Sequence, residues 1–174
     1  MCYCSVDMKL KENIKNGLVK YQTDFNMERK AEELIFKFHA YNSAFYSAGN
    51  KYNDAIYQGS VVEIFITYGK ENHYYEVEVA PNGTTFLADI KNIDGKFETI
   101  LIDDCFIKTE SVISENDYEV TIHFPLDKIK TESPKFNAFR IEFVNNQQNL
   151  YALNPTMCDS FHRTEAFIDL LSLL

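Results

Sequence analysis

Strict apolar–polar alternation recurs along this chain and constrains its fold more than any other feature. In "ELIFKFHAY" Leu34, Phe36, Phe38 and Ala40 share one face, with Ile35, Lys37, His39 and Tyr41 on the other. "SVVEIFITY" sets Val62, Ile64 and Ile66 against Val61, Glu63 and Phe65, and "HYYEVEVAP" sets Tyr75, Val77 and Val79 against Tyr74, Glu76 and Glu78. "DYEVTIHFP" opposes Tyr118, Val120, Ile122 and Phe124 to Glu119, Thr121 and His123. "NAFRIEFV" opposes Phe139, Ile141 and Phe143 to Ala138, Arg140 and Glu142. Side chains alternate across a strand, so each run is a half-buried strand with one apolar face, the pattern of antiparallel sheets. Weaker strands are expected at Leu18–Phe25, Glu98–Asp104 and in "CFIKTESVI". Pro81-Asn82-Gly83 and Asp94-Gly95 mark turns between them. Seven or more strands without alternating helices predict an all-β, antiparallel β-sandwich. The tail "RTEAFIDLLSLL" fits either a short helical turn capped by Thr164 or a turn followed by an edge strand at "IDLLSLL".

The 174 residues suit one domain, expected to span 1–174. A net charge of -9, with no basic stripe to offset it, repels a phosphate backbone and argues against nucleic acid as a partner. No stretch nears ~18 consecutive apolar residues, so no membrane partner is expected. Met1–Leu10 lacks the apolar core of a signal peptide, which reads as cytoplasmic for the chain as given, or secreted if a signal has been removed. Cys2, Cys4, Cys105 and Cys158 form no CxxC pair and are expected to be free thiols. Neutral or cationic small molecules and protein partners stay open.

Among candidate functional residues, Glu63 stands out as a carboxylate in the middle of an apolar strand, where it must be solvated, paired or hydrogen-bonded. Arg140 and Glu142, two residues apart, share a strand face and form either a surface ion pair or, with Glu63, one polar patch. Such a patch makes the bidentate hydrogen bonds that vicinal sugar hydroxyls require. The same two glutamates could act as a glycosidase pair only at carboxyl separations of about 5–5.5 Å or ~6.5–9.5 Å. His39, His73, His123 and His162 show no zinc-ligand spacing, and nothing places a third group beside a Cys158–His162 pair. No cofactor is expected; Asp94, Asp103 and Asp104 are candidate calcium contacts. Ser43–Ser60, long, polar and rich in tyrosine, has the character of a functional loop.

Five stretches, taken in order, resemble the family 9 carbohydrate-binding modules and their shorter relatives. They are "QGSVVEIFI", "YYEVEVAPNG", "YEVTIHFPLDKI", "FNAFRIEF" and "LNPTMCDSFHRTEAF", and the likeness runs from about Leu18 to the C-terminus. The resemblance implies a non-catalytic β-sandwich that holds a mono- or oligosaccharide between two aromatic rings, with acidic and amide groups on its hydroxyls. The first ring, six residues before the strand glutamate, falls at Tyr57, and the glutamate is Glu63. The second, in the loop before the final strand, falls at Phe161, with His162 on the rim. Glu142, beside Arg140, matches a polar contact. The chain departs from the family in having no tryptophan, with Leu153 and Tyr118 where relatives carry Trp. The family's sugar-contacting arginine falls near Glu76, and Thr164 and Ile168 replace a proline and a glycine. Smaller rings imply weaker sugar binding. Loss of sugar binding, leaving a protein-interaction or structural module, is the alternative reading.

Overall fold

The computed structural model describes residues 5–15 and 19–173. Its strands are β1 (Ser5–Lys9), β2 (Lys11–Glu12), β3 (Thr23–Lys30), β4 (Glu33–Ala40), β5 (Val61–Thr67), β6 (His73–Val79) and β7 (Thr85–Ile93). They are followed by β8 (Lys96–Leu101), β9 (Lys108–Ile113), β10 (Tyr118–Pro125), β11 (Lys135–Val144), β12 (Gln147–Ala152) and β13 (Ile168–Asp169). Two antiparallel sheets result. The smaller runs β1-β3-β4-β10-β9; the larger runs β2-β12-β11-β5-β6-β7-β8, with β13 paired to β11. The chain is an all-β sandwich, as the alternation predicts.

On β4, β5, β6 and β10 the inner faces are the apolar faces read from sequence; on β11 the face read as apolar, with Phe139 and Ile141, turns outward instead. Leu34, Phe36, Phe38 and Ala40 of β4 and Tyr118, Val120, Ile122 and Phe124 of β10 meet Val62, Ile64 and Ile66 of β5 and Val77 and Val79 of β6. Phe25 and Phe136 stack across the gap with centroids 6.3 Å apart. Each such side chain contributes roughly 1.5–3 kcal/mol on burial. The larger sheet also carries a second apolar cluster, which includes Phe65, Tyr74, Phe86, Phe139, Ile141, Phe161 and Phe167. These residues occupy alternate positions to the first set, so the sheet is buried on both faces.

Three expectations change. The strand expected at Leu18–Phe25 instead spans Thr23–Lys30, and Leu18 itself lies outside the described residues. β7 and β12 had no strand assigned from sequence. The tail combines both readings: a 3-10 turn at Thr164–Ala166, the two-residue strand β13, and a second 3-10 turn at Leu170–Leu173. Arg163 rather than Thr164 occupies the N-cap position, without a side-chain cap.

The turn signals hold. Asp94 and Gly95 both adopt positive φ (51° and 80°), as a two-residue hairpin turn between β7 and β8 requires. Gly83 (φ 82°) closes the β6–β7 turn, where its N–H donates to Ala80 O at 2.8 Å. Cys105 and Cys158 are free; Cys2 and Cys4 lie outside the described residues. Among the described residues no helix is long and apolar enough to cross a membrane.

Candidate functional site

The outer face of the larger sheet forms the floor of a cavity of about 620 Å³. Register explains which side chains meet there. Glu63 of β5 lies directly opposite Glu78 of β6, and Phe65 opposite Glu76. Glu78 pairs in turn with Phe86 of β7, and Glu63 pairs with Phe139 of β11. Directly paired residues in a sheet point to the same side, so Glu63, Glu76 and Glu78 converge. Phe97, Thr99 and Leu101 of β8 add one wall, and Ile141, Gln148 and Leu150 add the other.

Two irregular segments close the rim. The Ser43–Ser60 loop contributes Asn53, Ala55 and Tyr57, the last on a 3-10 turn at Ile56–Gln58. Asn53 fixes this loop: its N–H donates to Thr85 O at 3.0 Å, and its Oδ1 accepts from Leu87 N at 2.9 Å. Gln148 Nε2 donates to Tyr57 O at 2.7 Å, tying the turn to β12. The second segment brings Asp159, Ser160, Phe161 and His162. Fully buried Asn13 anchors it, donating to Thr156 Oγ1 and Cys158 O and accepting from Thr156 N, each at 2.8 Å.

Four of the six residues expected from sequence line this cavity: Tyr57, Glu63, Phe161 and His162. Tyr57 is 44% exposed and meets Phe86 edge-on. Phe161 is only 7% exposed, because it stacks on Phe139 with centroids 4.3 Å apart and an interplanar angle of 18°. Tyr57 is therefore the open ring, while Phe161 is mainly packed into the wall.

His162 lies between Phe97, at 3.7 Å between centroids, and Phe65, at 5.1 Å. Its Nδ1 is 2.7 Å from Tyr74 Oη, and its carbonyl accepts from Asn92 Nδ2 at 2.9 Å. Burial pushes its pKa down to about 4, so it is neutral at pH 7. Cys158 does not face it; the thiol donates toward Ser160 O at 3.4 Å.

Arg140 and Glu142 require a correction. Arg140 pairs with Val62, so both it and Glu142 point to the sheet face opposite Glu63, into the space between the sheets. Both are fully buried and bonded to each other at 2.6 Å. Arg140 also donates to Gln22 O at 2.9 Å, Thr23 Oγ1 at 3.1 Å and Tyr41 O at 3.2 Å, and lies over the Tyr118 ring. Glu142 accepts from Ala44 N at 2.8 Å and from Ser43 Oγ. The pair therefore clamps the smaller sheet and the start of the rim loop to β11. It takes no part in the cavity, and Glu63 and Glu142 cannot flank one glycosidic bond.

Sequence reasoning missed Glu76, Glu78, Phe97 and Gln148. The signal for the first two was present: an acidic pair alternating with apolar residues on the strand after Glu63. Their environment is unusual. Glu63, Glu76 and Glu78 are each at most 6% exposed, and carboxylate oxygens from the three lie within 4.8 Å of one another. Glu63 Oε1 and Glu78 Oε2 have no hydrogen-bond partner. Burial, then the neighbouring carboxylates, raise the pKa of Glu63 and Glu78 well above the usual range. Burial pushes Glu76 up to about 8. The one nearby imidazole, His162, has Nε2 3.9 Å from Glu76 Oε1.

The fold is a β-sandwich with a concave, aromatic-rimmed, acid-floored pocket on the outer face of its larger sheet. The sequence model for carbohydrate-binding family 9 matches residues 3–133, and the chain belongs to that family. Phe161 and His162 lie beyond the matched stretch. No curated protein sequence matches the chain.

Similar solved structures include a Bacteroides uniformis protein provisionally assigned to carbohydrate binding. It has a TM-score of 0.75 and 13% identity, with 93% of this chain and 84% of that one covered. A family 9 carbohydrate-binding module from Caldicellulosiruptor kristjanssonii in complex with glucose has a TM-score of 0.66 and 14% identity, over 92% and 81% of the two chains. A family 9 module from the same organism in complex with cellotriose has a TM-score of 0.63 and 13% identity, over 97% and 79%. At these identities the likeness carries the fold.

Proposed function

We propose that this protein is a non-catalytic carbohydrate-binding module whose sugar site is the cavity on the outer face of the larger sheet. The observation that carries the reading is the conjunction, in one cavity, of half-exposed rings and unpartnered buried carboxylate oxygens. Tyr57 and Phe97 supply the rings; Glu63 and Glu78 supply the oxygens. A pyranose has complementary chemistry: apolar C–H faces for the rings and hydroxyl donors for the acceptors. Glucose and cellotriose in the structural neighbours support the substrate class. The sugar lies against Tyr57, with Glu63 at its hydroxyls and the Phe161 edge and His162 at the rim. Arg140 and Glu142 hold the scaffold instead. Among the described residues no Lys or Arg lines the cavity to receive a uronic acid's carboxylate, so the ligand is a neutral or amino sugar.

Calorimetric titration with glucose, cellobiose, glucosamine and glucuronic acid tests this. Binding of a neutral or amino sugar, weakened at least tenfold by Tyr57→Ala, is expected. Heat from none of them, or binding untouched by both Tyr57→Ala and Phe97→Ala, would sink the proposal.

A further inference from the structure

Three carboxylates packed together with no basic group between them pose an electrostatic problem that the protein's own side chains do not solve. Glu63, Glu76 and Glu78 converge within 4.8 Å, and among the described residues no Lys or Arg lines the cavity around them. Residues 63 and 78 are nine-tenths buried or more, and each keeps one carboxylate oxygen unpaired at the cavity floor. A buried acceptor left unsatisfied costs about 1–3 kcal/mol, and more when charged. Burial pushes these groups toward the protonated form, and a bound cation is the alternative that would satisfy the unpaired oxygens as carboxylates.

The donor set selects its type. The three donors of the cluster are all carboxylate oxygens, which favours calcium, magnesium or manganese over zinc or copper. Coordination habit then discriminates. Magnesium demands near-ideal octahedral geometry and keeps several waters, whereas calcium accepts flexible sites built from several carboxylates. Calcium takes six to eight oxygens, and three carboxylates leave coordination positions open to the cavity.

We propose that Glu63, Glu76 and Glu78 hold one calcium-sized divalent cation at the cavity floor, and that its open positions take vicinal hydroxyls of the sugar. The second half rests on the sugar-binding reading above. Asp94, Asp103 and Asp104 are not among the described residues that converge in this way.

The test uses the full chain stripped with EDTA and then dialysed free of it. Tyrosine-sensitised terbium luminescence, followed by calcium competition, reads the site directly, with Glu78→Gln and Glu63→Gln as variants. Circular dichroism confirms that the variants fold, which removal of a buried charge favours. The expected result is one terbium site, displaced by calcium and not by equimolar magnesium, weakened at least tenfold in both variants. Absence of a site that the variants weaken overturns the proposal.

Sugar titrations with calcium and with EDTA separate the two readings. Sugar affinity that falls at least tenfold in EDTA supports the bridging cation. Equal affinity in both overturns the bridge and leaves the sugar site standing. A calcium site with no sugar bound in either condition keeps the cation and overturns the sugar reading.

Discussion

Replacing Glu78 by glutamine should stabilise the metal-free protein, and the gain should grow with pH. Glu78 is buried and faces two other carboxylates within 4.8 Å. If all three ionise, each pair repels by about 3.5 kcal/mol at 4.8 Å and an effective dielectric constant near 20. If one stays protonated at pH 7, keeping it neutral against an unfolded pKa of about 4.3 costs about 3.7 kcal/mol. With two neighbours, the ionised route costs Glu78 about 7 kcal/mol, so protonation is the cheaper state and sets the cost. Glutamine removes this cost but leaves an amide short of partners, worth about 1–2 kcal/mol. The net gain is about 2 kcal/mol near pH 7, or roughly 4–8 °C in Tm for a chain of this size, and larger at pH 8. The sign follows from linkage. These carboxyls have folded pKa values raised above the unfolded one, so the folded state binds more protons. Wild-type stability is therefore full below about pH 4.3 and falls as pH rises toward the raised values, about 8 for Glu76. Urea denaturation in EDTA from pH 4.5 to 8.5 should show the two proteins nearly equal at the acid end and separated at the alkaline end. A destabilised variant at pH 8, or a gain independent of pH, would refute the reasoning.

Two further substitutions divide scaffold from site. Arg140→Met leaves Glu142 buried without its partner and the carbonyls of Gln22 and Tyr41 without a donor. It should cost about 3–5 kcal/mol in chemical denaturation while leaving sugar affinity of the folded fraction unchanged, because the side chain lies on the opposite sheet face. Asn13→Ala removes the contacts that pin the Phe161 segment. A loss of about 1–3 kcal/mol is expected, together with weaker sugar binding, measured by denaturation and calorimetry on the same sample; unchanged binding would show that the segment holds its shape without this anchor.

The strands were legible because alternation is a local signal: the identities of residues 33–40 or 118–124 already encode which face each side chain takes. The larger sheet obscured its own function because it is buried on both faces. Alternation of Phe139 with Arg140 reads locally as apolar-in, polar-out. In the fold Phe139 packs beneath Phe161 on the outer face, and Arg140 enters the space between sheets, where it finds carbonyls from Gln22 and Tyr41, 118 and 99 residues away in sequence. No local pattern carries that information. Glu76 and Glu78 were visible as an alternating pair, but their meaning depends on the register that sets Glu78 opposite Glu63. Phe97 lies on an exposed edge strand and becomes a site residue only through its stack with His162. Glu63 was visible as a carboxylate within an apolar strand, and Tyr57 came only from the family resemblance, which places a ring six residues before that glutamate.

Division of labour between the faces of the larger sheet explains how charge can be concentrated in the site without dissolving the fold. The inner face supplies the apolar contacts between sheets and buries its single ion pair with bonds on nearly every side. The outer face carries three carboxylates without a cation, a cost the protein can carry because the inner core is independent of them. Stability given up at a cavity floor is the usual companion of a binding site. Here the deficit has a definite chemical form: unpaired, inward-facing oxygens rather than a missing apolar contact. A tryptophan-free rim offers less stacking surface than the family's usual rings, so affinity has to come more from the floor than from the walls, and the floor is where this chain has placed its charge.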